Sequence, residues 1–491
     1  MAKLLKNYID GKWMASRSSS MTEVINPAKN EIIALAPNSK KTEADLAIKA
    51  ARASFDSGVW SNQTAFERSE VLHEIANKLV ESKDELIHLE VENNGKTTRE
   101  AESDVDESIA TFRYYASLLQ ETNDLTYQPE QNMETMIIKE PIGVAGLIVP
   151  WNFPLLMSVW KIAPAIAAGN SIVLKPAEIT PLTAVRLFEL MDETSLPKGV
   201  VNLILGTGLD VGQTISESKD VDIVSFTGST GVGKSIMKTA ADTMKKVSLE
   251  LGGKSPNIIF TDANLDLAVD YALMGIFMGS GQVCSSGSRI LVEEGIYDQF
   301  VEQFVHRAKQ IEVGPGDNPK SEMGAIVSET HFENILNYIT IGKQEGATLL
   351  TGGKPIKKPG MEEGFFIEPT IFTDVTADMR IVQEEIFGPV VTIQPFKDES
   401  EAIQLANDTI YGLAGAVFSE DYEKALRVIK QVKAGITSIN NYHLTNVKAP
   451  WGGYKQSGIG RSLGPYGLDE YQETKQINIL LDTTKADWFK N

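Results

Sequence analysis

The chain is poor in cysteine, histidine and positive charge. One cysteine, Cys284, in 491 residues excludes an intrachain disulfide and any metal site built on several thiolates, and it suits a reducing compartment. The five histidines, His73, His88, His306, His331 and His443, show no paired ligand spacing, so no metal centre is expected and most are expected at the surface. Lys and Arg number 46 against 66 Asp and Glu, and the net charge of −20 argues against a nucleic-acid partner, because phosphate binding draws on basic surface. Uninterrupted apolar runs are short as well. The most hydrophobic stretch, from Ile142 to Gly169, is broken by Pro150, Asn152 and Pro154, and reads as strand, turn and helix instead of a membrane span. The opening "MAKLLKNYIDGKW" has no signal-peptide core, since Lys6, Asn7 and Asp10 interrupt it. A cytoplasmic protein with no membrane partner is expected.

What the chain does have is length and alternation. With 42% hydrophobic and 23% charged residues it can bury a large core, and at about 150 residues per domain it suggests roughly three domains. The runs "SIVLK", "VVNLILG", "VDIVSF" and "KVSLEL" read as strands, with amphipathic stretches such as Pro181 to Glu193 between them, which predicts a parallel, doubly wound sheet. After Gly253 the pattern restarts: "PNIIF", a helix over "LDLAVDYALMGIF", "SRILVEE", and a helix from Tyr297 to Gln310 predict a second α/β unit. Gln120 to Thr135 is polar and turn-rich, and "KQINILLD" is an isolated strand pattern; the two are candidates to pair as an arm. The first hundred residues read as mainly helical, most clearly Ala44 to Ser57 and Ala65 to Glu92.

Four stretches carry chemistry. "FTGSTGVGKS" sets Gly228, Gly233, Lys234 and Ser235 at the G-x-x-x-x-G-K-S spacing of P-loop triphosphatases, and Asp262 after "NIIF" stands where a metal-binding aspartate would. The same strand, glycine turn and helix N-terminus suits any pyrophosphate, and a plain tight turn is a third reading. In "SGQVCSSGSR" the neighbours of Cys284 are small and polar, which fits a partly accessible nucleophilic thiol better than the buried apolar cysteine that is commoner in general. Glu250 ends a strand pattern in "VSLELGGKSP", where α/β proteins place functional carboxylates, although a solvated strand end reads the same way. Asn152 in "PWNFP" is either a turn former or an amide donor aimed at a ligand.

Together with "YIDGKW", "INPA", "LKPAE", "EEIFGPV" and "PWGGYKQSGIGR", these stretches resemble the NAD(P)-dependent aldehyde dehydrogenase superfamily nearly end to end, and in motif they are most similar to betaine aldehyde dehydrogenases. The resemblance implies two doubly wound, Rossmann-like α/β domains and a β oligomerisation arm. Residues 1–119 and 141–252 would form the NAD-binding domain, 253–467 the catalytic domain, and 120–140 with 468–491 the arm of a homodimer or homotetramer. It also implies the roles. Cys284 attacks the aldehyde, Asn152 stabilises the oxyanion, and Glu250 activates water for thioester hydrolysis. Lys175 and Glu178 hold the adenosine ribose of NAD, Gly228, Ser229 and Gly233 lie by the pyrophosphate, Glu385 and Phe387 serve the nicotinamide end, and Trp151 is a further cofactor-binding residue. Phe153, Trp160, Trp451 and Met278 would line the aldehyde tunnel, with the tryptophans matching positions that surround a cationic aminoaldehyde; a broad-range aldehyde enzyme and a P-loop triphosphatase are the alternatives. One departure stands out: many relatives have a proton-relaying glutamate after "SGIGR", and this chain has Ser462.

Overall fold

The structure is a computed structural model and describes residues 2–121, 125–130, 132–483, 485–486 and 488–489. Its largest sheet has eight strands in the order Gly458–Ile459, Lys246–Glu250, Ile223–Thr227, Val144–Ile148, Ser171–Lys175, Val201–Leu203, Asn7–Ile9 and Lys12–Met14. The run from Lys246–Glu250 to Val201–Leu203 is parallel, and the outer strands join it antiparallel. Parallel strands covered on both faces need apolar side chains on both, which is why these segments are short, near-continuous hydrophobic runs. Alternate residues serve opposite layers: Val144, Val173 and Val224 pack with Ala44, Ile48 and Ile236, while Leu147, Leu174 and Ile223 pack with Leu72, Phe112, Ile162 and Phe188.

The second sheet has seven strands in the order Thr348–Thr351, Thr370–Thr373, Val390–Phe396, Arg289–Glu293, Pro256–Ile259, Ala414–Phe418 and Ile436–Ile439, parallel except at the Thr348–Thr351 edge. The α/β class with two mainly parallel sheets therefore agrees with the expectation. A third, antiparallel sheet joins Leu125–Glu130, Met133–Pro141 and Gln472–Leu480, so the polar stretch and the late strand share one sheet, on opposite sides of Met133–Pro141. Residues 122–124, 131, 484, 487, 490 and 491 of the expected arm lie outside the described residues. The strand Gly458–Ile459 comes from within residues 253–467 yet adds to the edge of the first sheet, beside Glu250.

The N-terminus corrects the helical expectation. Five strands, from Lys3–Leu4 to Glu31–Pro37, precede the first helix, Lys41–Asp56. Asp10 and Gly11 both take positive φ, the conformation of a tight hairpin turn, and this two-residue signal outweighs any helical period in so short a segment. The long helix expected over Ala65 to Glu92 also breaks, at Ser82, into Ala65–Glu81 and Lys83–Asn94.

Candidate active site

The carboxyl ends of the first sheet face the amino ends of the second, and a cavity of about 490 Å³ lies between them. Cys284, Glu250 and Asn152 all line it. Glu250 closes its strand, and the two glycines that follow explain how it reaches a residue so distant in sequence. A Cβ on Gly253 would sit 2.4 Å from the Cys284 carbonyl oxygen, so only glycine lets this turn lie against the nucleophile loop. On the other side, Gly279, Ser280 and Gly281 are all left-handed, a strained lead-in that holds Cys284 at the cavity wall.

Burial sets the protonation states here. The Cys284 thiol is pushed up to about 12, first by burial and then by the Glu385 and Glu250 carboxylates, so at neutral pH it rests protonated and a base must relieve it. Burial also raises Glu250, against the opposing pull of Lys161 and Arg461. Neither Glu250 oxygen makes a standard hydrogen bond among the described residues, and the neighbouring Ser462 hydroxyl favours its charged form, which leaves the carboxylate able to take a water. Asn152 Nδ2 donates to the Gln282 carbonyl at 2.8 Å; its amide is thereby oriented, with one N–H left over, toward the cavity that Cys284 shares.

The residues expected to hold NAD fall into two groups. Trp151, Gly228, Ser229, Glu385 and Phe387 line the same cavity as the nucleophile. Lys175, Glu178 and Gly233 do not. Lys175 ends its strand and pairs with Glu178 at 3.3 Å, and Glu178 accepts from the Gly208 N–H at 2.7 Å, outside that cavity. Gly233 lies one turn into the helix Thr230–Ala240, packed on Leu251. Ser229 caps that helix, so its positive end opens on the cavity wall and fits a pyrophosphate. Glu385 accepts from the Gly253 N–H at 2.9 Å, and Phe387, held at φ 60°, stands edge-on to Trp151 at 5.2 Å. A fixed carboxylate and an aromatic corner fit a ribose and a flat ring.

The P-loop alternative loses both of its distinguishing side chains. Lys234 Nζ donates to Gln456 Oε1 at 2.7 Å, outside the cavity. Asp262 is held by Lys424 at 2.7 Å and by the Ser419 hydroxyl at 2.8 Å, which makes it a structural clamp.

Comparison with known proteins decides the class. The model of the aldehyde dehydrogenase family matches residues 13–477. The chain belongs to the aldehyde dehydrogenase family. Among its relatives are a betaine aldehyde dehydrogenase of Bacillus subtilis (strain 168), 48% identical over 99% of both chains, and a peroxisomal aminoaldehyde dehydrogenase of Pisum sativum, 42% identical over 98% of this chain and 97% of the other. A crystal structure of Staphylococcus aureus betaine aldehyde dehydrogenase in complex with NAD+ superposes with a TM-score of 0.97 at 48% identity, covering 99% of this chain and 96% of that one.

In this aldehyde dehydrogenase all four expected tunnel residues, Phe153, Trp160, Trp451 and Met278, line the cavity, with Trp160 and Trp451 edge-to-face at 5.3 Å. The sequence reading missed an acidic wall beside them. Glu100, Asp104 and Glu107 recur one helical turn apart on one face of the helix Thr98–Glu121, and that spacing inside an otherwise apolar stripe was the available signal. Lys96, also in the wall, is buried between Glu90 at 3.0 Å and Asp104, and its charge is spent there. Burial raises Glu107 to about 7, and its Oε1 and the Trp160 Nε1 are buried without standard hydrogen bonds. The surface expectation fails for His331 and His443, which line the cavity. Burial pushes His443 down to about 4, so it is neutral at physiological pH.

Proposed function

We propose that this aldehyde dehydrogenase oxidises an aldehyde to its carboxylic acid with NAD+, using Cys284 as nucleophile, Asn152 as oxyanion donor and Glu250 as base. The observation that carries the reading is the meeting of these three side chains in one cavity whose wall also holds the Ser229 helix end. Cys284 reacts as its thiolate, the proton leaving to water, and its sulfur adds to the aldehyde carbon. The Asn152 N–H and the Cys284 backbone N–H stabilise the resulting oxyanion. When bound, NAD+ supplies the hydride acceptor. The thioester left on Cys284 is hydrolysed by a water from which Glu250 removes a proton. Purified protein forming NADH steadily from NAD+ and an aldehyde panel tests the whole; no NADH with any aldehyde would sink it.

The substrate we propose is betaine aldehyde or a similar cationic aminoaldehyde. Two tryptophan faces and the Glu100, Asp104 and Glu107 wall offer a cation both ring quadrupoles and negative charge, and the named relatives act on such aldehydes. The neutral isostere 3,3-dimethylbutanal has the same shape without the charge. A gain of about 1–2 kcal/mol predicts kcat/KM about 5- to 30-fold higher for betaine aldehyde. Trp451→Ala should shrink that ratio; equal efficiency for the two aldehydes would point to the broad-range alternative.

NAD+ should be preferred over NADP+, because the Glu178 carboxylate accepts hydrogen bonds from a ribose 2′-hydroxyl and repels a 2′-phosphate. We expect kcat/KM at least about tenfold higher for NAD+. Equal values would remove Glu178 from the ribose site.

The arm supports self-association. Leu125–Glu130 and Gln472–Leu480 are the two outer strands of its sheet, and Leu125 and Tyr127 on the first and Leu480 and Leu481 at the end of the second are exposed. Light scattering should give two or four times the 53.7 kDa chain mass, and a monomer would contradict the homodimer or homotetramer proposed. Among the described residues no helix is long and apolar enough to cross a membrane, and with a single thiol the cytoplasm is the location proposed.

A further inference from the structure

The loop that leads to the nucleophile is held in a backbone conformation that its residues do not favour. Gly279, Ser280 and Gly281 take φ of 59°, 57° and 72°, and Ser280 bears a side chain in the left-handed region. Such a run persists only where its surroundings pin it. Ser280 Oγ donates to the Gly324 carbonyl at 3.0 Å, and Gln282 Oε1 accepts the Val327 N–H at 3.0 Å, so one neighbouring segment holds the loop twice. The Gly279 carbonyl accepts the Gln282 backbone N–H at 3.0 Å and Gln282 Nε2 at 3.1 Å. The Gln282 carbonyl is the group that orients Asn152. One link crosses to the tunnel wall: the Gly279 N–H donates to Glu100 Oε1 at 2.7 Å. Glu100 is aimed there by its own helix. Its N–H donates to the hydroxyl of Thr97, just before the helix Thr98–Glu121, at 3.4 Å, and its Oε2 accepts the Thr97 N–H and hydroxyl, each at 2.8 Å. This reciprocal cap fixes one oxygen and turns the other to Gly279. Both oxygens are thus committed to protein donors, whereas Glu107 Oε1 in the same wall makes no standard hydrogen bond.

We propose that Glu100 is a positioning residue for the nucleophile loop: by holding the Gly279 N–H it keeps Cys284 and the Gln282-oriented Asn152 amide in register on one aldehyde carbonyl. The inference rests on the reading of Cys284 as nucleophile and Asn152 as oxyanion donor. Without the carboxylate the Gly279 N–H loses its acceptor, and a left-handed turn with an unpaired donor relaxes toward commoner backbone angles. Gln282 is bonded to Gly279 twice and moves with it. Its carbonyl then no longer fixes the Asn152 amide relative to the sulfur two residues further on. A displacement of about 1 Å between reacting groups costs up to about 100-fold in rate. The role needs no charge on the aldehyde, which separates it from attraction of a cation by the wall.

Single-turnover NADH formation from the neutral 3,3-dimethylbutanal, with enzyme and NAD+ in saturating excess, reads acylation alone. An inactive fraction of the enzyme does not change that rate constant. Glu100→Ala should lower it at least about tenfold. Thr97→Val removes the cap hydroxyl and leaves the Gly279 link, so it should lower Tm while the rate stays within about twofold. Glu100→Asp keeps the charge and is one methylene too short to span from Thr97 to Gly279; it should slow acylation at least about threefold, and it carries the test if Glu100→Ala does not fold. An unchanged rate in Glu100→Ala or in Glu100→Asp, an equal slowing in Thr97→Val, or a slowing confined to betaine aldehyde would overturn the positioning role. If Cys284→Ala abolishes turnover while Glu100→Ala acylates normally, the positioning role alone fails; if Cys284→Ala still turns over, the reading of the nucleophile fails beneath it.

Discussion

Cys284→Ala is expected to lower aldehyde oxidation at least about 10⁴-fold while NAD+ binding stays nearly intact. Cys284 is the single cysteine of the chain, and Ser285 is the adjacent hydroxyl in the cavity wall. A hydroxyl is a far weaker nucleophile at neutral pH, and the Ser285 oxygen is turned toward His443 at 3.4 Å, so no neighbour can replace the thiol. The groups that fit the dinucleotide, Ser229, Glu385, Phe387 and the Lys175–Glu178 pair, are untouched by the substitution. Stopped-flow NADH absorbance with quenching titrations of NAD+ separates the two effects. Retention of even a tenth of the turnover would refute the nucleophile assignment.

Glu250→Gln should acylate once and then stall, with steady turnover down about 10²- to 10⁴-fold. An amide has nearly the shape of the carboxylate but takes no proton from water, and no other carboxylate in the wall stands in the same relation to both Cys284 and Lys161. The expected trace is a burst of NADH followed by a near-flat line. The pH dependence follows from the sign of the shift. Burial raises the Glu250 carboxyl, so below that raised value it is protonated and cannot act as base. Acyl-enzyme hydrolysis should therefore climb with pH across a range above that of ordinary carboxylates, and the climb should vanish in Glu250→Gln. Hydrolysis already at full rate near pH 5 would contradict the buried-base account.

The order of parallel strands and helices was legible in local residues. "SIVLK", "VDIVSF", "KVSLEL" and "PNIIF" are strands where the hydrophobic period placed them, because strands buried on both faces demand continuous β-branched runs. The motif residues Cys284, Glu250 and Asn152 stood out for a similar reason: Cys284 and Asn152 sit in short turns and Glu250 closes a strand before two glycines, settings whose composition does not fit packing. Asp10–Gly11 was overlooked because a hairpin signal occupies two residues and leaves no period.

Only the tertiary structure decided what faces what. No spacing rule brings Glu250 to Cys284; a Cβ-free turn at Gly253 and the opposition of two sheet ends do. Lys234 and Asp262 satisfied a linear motif and were then claimed by Gln456 and Lys424, partners more than 150 residues away in the chain. The acidic wall of Glu100, Asp104 and Glu107, the cavity positions of His331 and His443, and the buried Lys161–Ser225 contact arise the same way. Periodicity reports which residues are buried, because burial is a property of one element and its environment. Charge pairing, proton routes and shape complementarity are properties of pairs from different elements, and those exist only once the sheets have packed.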